Sequence, residues 1–147
     1  MVSILERFWM WAGIDPDEYA QFGMTRCNGK EEFEFPEYDE LLCYVRRLID
    51  KKTRVNDEVE DIVIGLALDN ETEDILDYLS KECGDDEILV IVKEAISSIQ
   101  PHARWQIAEL IGRRQLIGCR KYLCDLCNDN DPYVRQRAAN AMRQLDS

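Results

Sequence analysis

The sequence predicts an all-α protein: an α-solenoid of about three to four helix pairs with an atypical cap at its N-terminal end. Three observations carry that expectation. From residue 38 onward, apolar side chains recur at helical spacing with little interruption. The apolar stripes return in register when the chain is slid along itself by 29 to 31 residues. The 147-residue length suits one domain, 1–147, able to bury about 70% of its unfolded surface.

Residues 1–37 differ in kind from the rest. Phe8, Trp9, Trp11 and Ile14 precede Asp15-Pro16-Asp17, and Phe33 and Phe35 alternate with Glu32 and Glu34 ahead of Pro36. The alternation fits a short extended stretch. The preferred reading is a hydrophobic cap over the open end of the stack, because terminal repeats need a solvent-compatible face.

The repeats occupy 38–147. Leu41, Leu42, Val45, Leu48 and Ile49 form a first stripe, ending before the basic turn Lys51-Lys52-Thr53-Arg54. Val59, Ile62, Val63, Leu66 and Ala67 form a second, and Asn70 separates it from a third, Ile75, Leu76, Leu79 and Cys83. Gly84 is a natural stop for that third helix, and Asp85-Asp86-Glu87 gives the next one an acidic first turn. Ile88, Ile91, Val92, Ala95 and Ile96 make the fourth stripe. Pro101 starts a fifth helix with Ala103, Ile107, Ala108, Leu110 and Ile111; a sixth carries Cys119, Tyr122, Leu123, Leu126 and Cys127. The seventh opens at Asp131-Pro132, an N-cap followed by proline at the first helical position.

A 31-residue shift lays Pro101, Arg104 and Ala108 on Pro132, Arg135 and Ala139, and carries the fourth stripe onto the sixth at all five positions. A 29-residue shift carries the second stripe onto the fourth. Helix pairs therefore begin near residues 58, 86 and 117. One antiparallel pair cannot bury both of its stripes, so stacked neighbours must complete the core.

The segment from Asp129 to Met142, Asp-Asn-Asp-Pro-Tyr-Val-Arg-Gln-Arg-Ala-Ala-Asn-Ala-Met, resembles the second helix of a HEAT repeat in the short form typified by phycobilin lyases. Pro101-His102-Ala103-Arg104 through Ile111-Gly112 looks like a degraded copy. The resemblance implies that the turn aspartate caps the helix and that the arginine reaches a turn. It makes Arg104, Asp131, Pro132 and Arg135 scaffold residues. It covers residues 86–147 well and extends plausibly to 58, and it speaks to fold before function.

The net charge of −12 argues against a nucleic-acid binder and against docking on an anionic membrane. The charge is uneven. Residues 61–100 hold 11 acids and 2 bases, a balance of −9, whereas residues 101–147 stand at +3. No run approaches a membrane span, and the N-terminus has neither a basic n-region nor a small-residue cleavage site, so a reducing cytoplasm is the expected compartment.

Chemistry is sparsely signalled. His102 is the only histidine, which leaves a single candidate base for nucleophilic catalysis; it matches Tyr133 one repeat later and is read as a packing residue. Cys119, Cys124 and Cys127 have a metal-like spacing, yet Cys119 and Cys127 fall on the core positions of Ile88 and Ile96, which makes them small hydrophobes. Cys124 matches Lys93 and is expected at the surface; the spacing itself leaves a redox or metal role for Cys124 and Cys127 open. Neither a catalytic residue nor a metal or other cofactor is assigned, and the chain is read as no enzyme.

In HEAT-like pairs the second helix lines the concave face. Around the helix near 72–83 that places Asp69, Glu71, Glu73, Asp74, Asp77, Tyr78, Asp85, Asp86 and Glu87 on one partner-binding surface, where acids steer a basic partner and the tyrosine anchors it. Small acidic HEAT-like proteins resemble some immunity proteins of bacterial polymorphic toxin systems. That resemblance implies a monomer in a 1:1 complex with a basic, nuclease-type toxin domain. The alternatives are a scaffold or adaptor in a larger complex and a phycobilin-lyase-like enzyme that transfers a tetrapyrrole.

Overall fold

The computed structural model describes residues 2–147, and among the described residues it is all-helical. Helix α1 (Ile4–Ala12) starts where the Ser3 side chain accepts the amide of Glu6, and ends at Gly13, whose φ of 76° is left-handed. Asp15 caps α2 (Pro16–Phe22) with proline in the first turn. Glu32–Glu34 is one turn of 3-10 helix, so the extended stretch considered for this segment is not formed. The apparent alternation is not a strand pattern: Glu32 and Phe35 are buried while Phe33 is exposed, the three-residue spacing of a helical turn.

Seven helices follow: α3 (Tyr38–Asp50), α4 (Asn56–Leu68), α5 (Asp74–Glu82), α6 (Asp85–Ile96), α7 (Pro101–Arg113), α8 (Arg120–Leu126) and α9 (Pro132–Asp146). Their buried faces are the apolar stripes. All five residues of the first and second stripes are buried, and Ile75, Leu76, Leu79, Ile88, Ile91, Val92 and Ala95 are inaccessible to solvent. Helices α3, α5, α7 and α9 each pack on the next, while α4 packs on α6. Two glycines let backbones approach. A Cβ on Gly112 of α7 would lie 3.2 Å from the Ala141 Cα in α9, and one on Gly65 of α4 would meet the Val45 side chain of α3 at 2.5 Å.

Gly84 plays a different part from the one its identity suggests. It is the N-cap of α6 with an ordinary φ of −74°, and Cys83 ends α5. The open carbonyls at the end of α5 are met by Arg114, whose Nη1 donates to the oxygens of Leu79, Ser80 and Cys83. Arg54 does the same for α3, donating to the carbonyls of Leu48 and Ile49.

The N-terminal segment packs on α3 and along the turn that leads into α7. Phe8 packs edge-on against Trp9 and Phe35, and α1 lies on α3. Further along, the Gln100 amide donates to the Pro16 carbonyl, and the Tyr19 ring lies beside His102 at the start of α7.

Candidate partner-binding face

The nine residues assigned to one acidic surface are dispersed by the fold. Asp69 is fully buried and is no part of any surface. Its carboxylate accepts the backbone N–H of Ile75 at 2.8 Å, and the hydroxyls of Thr72 and Tyr38. The cause is local. The N-cap of α5 is Glu73, in a left-handed conformation with φ 56°, and its side chain makes no capping bond. Asp69 supplies the missing acceptor from five residues before the first helical residue. Burial raises its pKa against the pull of these hydrogen bonds; burial and then the Asp69 contact raise that of Tyr38.

Four more of the nine are engaged with arginines from other parts of the chain. Arg113 lies 2.9 Å from Asp77 and 3.7 Å from Glu73, Arg114 lies 2.6 Å from Asp85, and Arg54 lies 2.5 Å from Glu87. Arg113 also meets Glu109, which is held in turn by Arg137 of α9. Glu71 turns toward a separate cavity shared with Glu32, Asn70 and His102. Asp74 and Asp86 are exposed and, among the described residues, unpaired.

Tyr78 identifies the surface that does form. Its hydroxyl donates to both oxygens of Asp50 on α3, at 2.6 and 2.8 Å. A broad open depression lies there, lined by Asp39, Glu40, Cys43, Arg46, Arg47 and Asp50 of α3 together with Tyr78. It continues along α5 past Asp74, Asp77, Lys81 and Glu82. Six acids thus face three bases across two helices. The α3 members were missed because the charge was counted by segment. Their signal was present: Asp39, Cys43, Arg46 and Asp50 recur at i, i+4, i+7 and i+11, a polar stripe opposite the apolar one.

A second polar centre is interior. Glu32, 5% exposed, accepts the Tyr19 hydroxyl at 2.5 Å and the Asn70 amide at 3.0 Å, joining the N-terminal segment to the α4–α5 turn. His102 accepts the Trp105 indole N–H on Nδ1 at 3.0 Å, which leaves the neutral ring's proton on Nε2. Burial lowers its pKa, against the nearby carboxylates of Glu32, Asp131 and Glu71. Tyr19, Glu32 and Asn70 hold one another, which ties the N-terminal segment to the α4–α5 turn.

The repeat residues lie as follows. Asp131 accepts the amides of Tyr133 and Val134 at the start of α9, where Pro132 is the first residue. Arg104 makes a two-pronged contact with Asp129 at 2.8 and 3.1 Å and donates to the Ser98 carbonyl; Arg135 donates to the Asp129 carbonyl. All six cysteines are free; Cys119 is buried, Cys127 half-buried and Cys124 exposed. Among the described residues no group of three or more His, Cys, Asp or Glu could hold a metal ion, and no helix is long and apolar enough to cross a membrane.

The fold and the site together define an all-helical protein with an acidic two-helix face. Comparison with family models, with curated proteins and with solved structures finds no match.

Proposed function

We propose that this chain is a non-catalytic protein-binding module, a HEAT-like α-solenoid that receives a basic protein partner on the α3–α5 face. The observation that carries the reading is the depression around Tyr78 and Asp50, where acids outnumber bases six to three. An amphipathic tyrosine amid solvated carboxylates combines an anchor with a steering field. The stacking of α3, α5, α7 and α9 in one row, with α4 on α6 behind, supports the solenoid. So does the pair Arg104 and Arg135, each donating to a carbonyl six residues earlier at equivalent points of two repeats.

The resemblance to immunity proteins makes the partner a nuclease-type toxin domain, bound 1:1 by a monomer in the reducing cytoplasm; free thiols suit that compartment. The test is association with a basic, nuclease-type toxin domain. Reversing Asp39, Asp74 and Glu82 to lysine should slow the association rate by about tenfold or more at low salt, with little effect at high salt. An on-rate unchanged at low salt removes this face from the interface.

A further inference from the structure

A cavity of about 430 Å³ lies where the N-terminal segment meets the α4–α5 turn and the start of α7. Small-ligand pockets span roughly 300–1,000 Å³. Its charged walls are Lys30, Glu31, Glu32 and Glu71, three carboxylates to one ammonium. The ammonium is committed elsewhere: Lys30 donates to the Trp11 carbonyl at 2.7 Å and lies 5.1 Å from the centre of the Trp11 ring. His102 adds no charge near neutral pH, because burial holds its pKa below the ordinary 6.5.

Glu32 is the unusual member. It is 5% exposed, yet among the described residues no cationic side chain forms an ion pair with it. Carboxylates so deeply buried are normally paired. Tyr19 and Asn70 both donate to its Oε2, and among the described residues Oε1 accepts nothing. Oε1 is not sealed either: the enclosed, unpartnered side-chain atoms belong to Gln100, Gln106 and Arg137. It therefore meets open space, and the space that Glu32 lines is this cavity. His102 is the complement. Its Nδ1 is taken by Trp105, and its Nε2–H is neither sealed nor matched by an acceptor among the described residues. Tyr19 joins the two, with its hydroxyl on Glu32 and its ring 6.2 Å from that of His102.

The occupant must bring a positive charge to Glu32 and an acceptor to His102. A bare cation or an alkylamine answers the first and leaves the imidazole N–H unmatched. A free amino acid answers both but carries a further carboxylate into a field of three. An ammonium one carbon away from a neutral carbonyl answers both without that repulsion. The first residue of a peptide has this arrangement, and Phe22 and Met24 offer its side chain an apolar wall. We propose that this cavity binds the N-terminal residue of a peptide chain, its α-ammonium on Glu32 Oε1 and its carbonyl on the His102 Nε2–H. The cavity and the α3–α5 face share no residue, so each reading stands or falls separately.

The experiment titrates the full chain at about pH 7, where an α-amino group is still largely charged. Leucine amide, N-acetyl-leucine amide, leucine and isopentylamine are the probes, and backbone amide resonances are followed by NMR. Leucine amide should give saturable shifts at Met24, Gly29, Asn70 and His102 and bind more tightly than the other three. Glu32→Gln keeps an oxygen for Tyr19 and Asn70 and should weaken leucine amide by about tenfold or more. Glu71→Gln, in an exposed side chain, keeps the fold and should weaken it by a smaller factor, which decides the matter if Glu32→Gln does not fold. Equal binding of any of the other three probes, undiminished binding by the folded variants, or the absence of saturable shifts at these amides would each overturn the assignment.

Discussion

The α4–α5 turn and the α8–α9 turn do the same job with an aspartate placed differently. At α8–α9, Asp131 caps α9 from the position next to it, and Arg104 reaches over from α7 to hold Asp129. At α4–α5, the residue next to the helix is a left-handed Glu73 that caps nothing, and the acceptor is Asp69, sealed under Tyr38 and Thr72. Counting from the helix starts Asp74, Pro101 and Pro132, the fourth residue is Asp77, Arg104 and Arg135 in turn. Helix α5 therefore carries an acid where α7 and α9 carry an arginine, and Asp77 is matched by Arg113 from α7. In both turns a carboxylate satisfies the amides at the helix start, and only the charge at the fourth helical position changes sign.

The largest effect should fall on the sealed turn. Asp69→Ala strands the Ile75 amide and the Tyr38 hydroxyl in the interior, and should cost about 3 kcal/mol or more in denaturant unfolding. A loss comparable to that of an exposed substitution would contradict the buried role of this carboxylate.

Arg104→Ala should come next, at about 2–3 kcal/mol, because its pair with Asp129 is only 11% and 10% exposed and the aspartate would keep just the Asp131 amide as a partner. Arg135→Ala, at the matching place in α9, should cost much less, since its side chain is exposed and holds only the Asp129 carbonyl among the described residues. Equal losses at the two arginines would contradict the difference in burial between them.

Acidification should produce a smaller, directional loss. The His102 pKa is held below its ordinary 6.5 by burial, so the unfolded chain takes up that proton more readily than the folded one. Its contribution to stability is fully present above pH 6.5 and is lost as the pH falls below that value. Melting temperature should therefore drop between about pH 7.5 and about pH 5.5, and the drop should shrink in His102→Gln. An unchanged drop would place the pH response elsewhere.

The smallest change should be a gain. Glu73 has a left-handed backbone and its salt bridge to Arg113 is long at 3.7 Å, so Glu73→Gly should raise stability by about 0.5–1 kcal/mol. A loss instead would mean that the Arg113 contact outweighs the backbone strain.

Much of the helix layout was legible because its signals are local. The stripe Val59, Ile62, Val63, Leu66 and Ala67 is one face of one helix, whatever packs on it. Asp131-Pro132 reads as a helix start because cap and proline act within four residues. Gly84 misled for the opposite reason: ending α5 falls to Arg114, about 30 residues later, which no local pattern encodes.

The acidic total is written in the sequence alone, a net charge of −12. What became of each carboxylate was decided by tertiary structure. Arg54 and Glu87 stand 33 positions apart, Asp77 and Arg113 stand 36 apart, and Asp85 and Arg114 stand 29 apart. Charge pairing acts through distances of a few ångströms, and only the packing of one helix on another brings such groups within them. Helical periodicity is written in neighbours along the chain. A surface is written in neighbours across space, which is why the acidic face lay on α3 and α5 and a predicted member, Asp69, lay in the core.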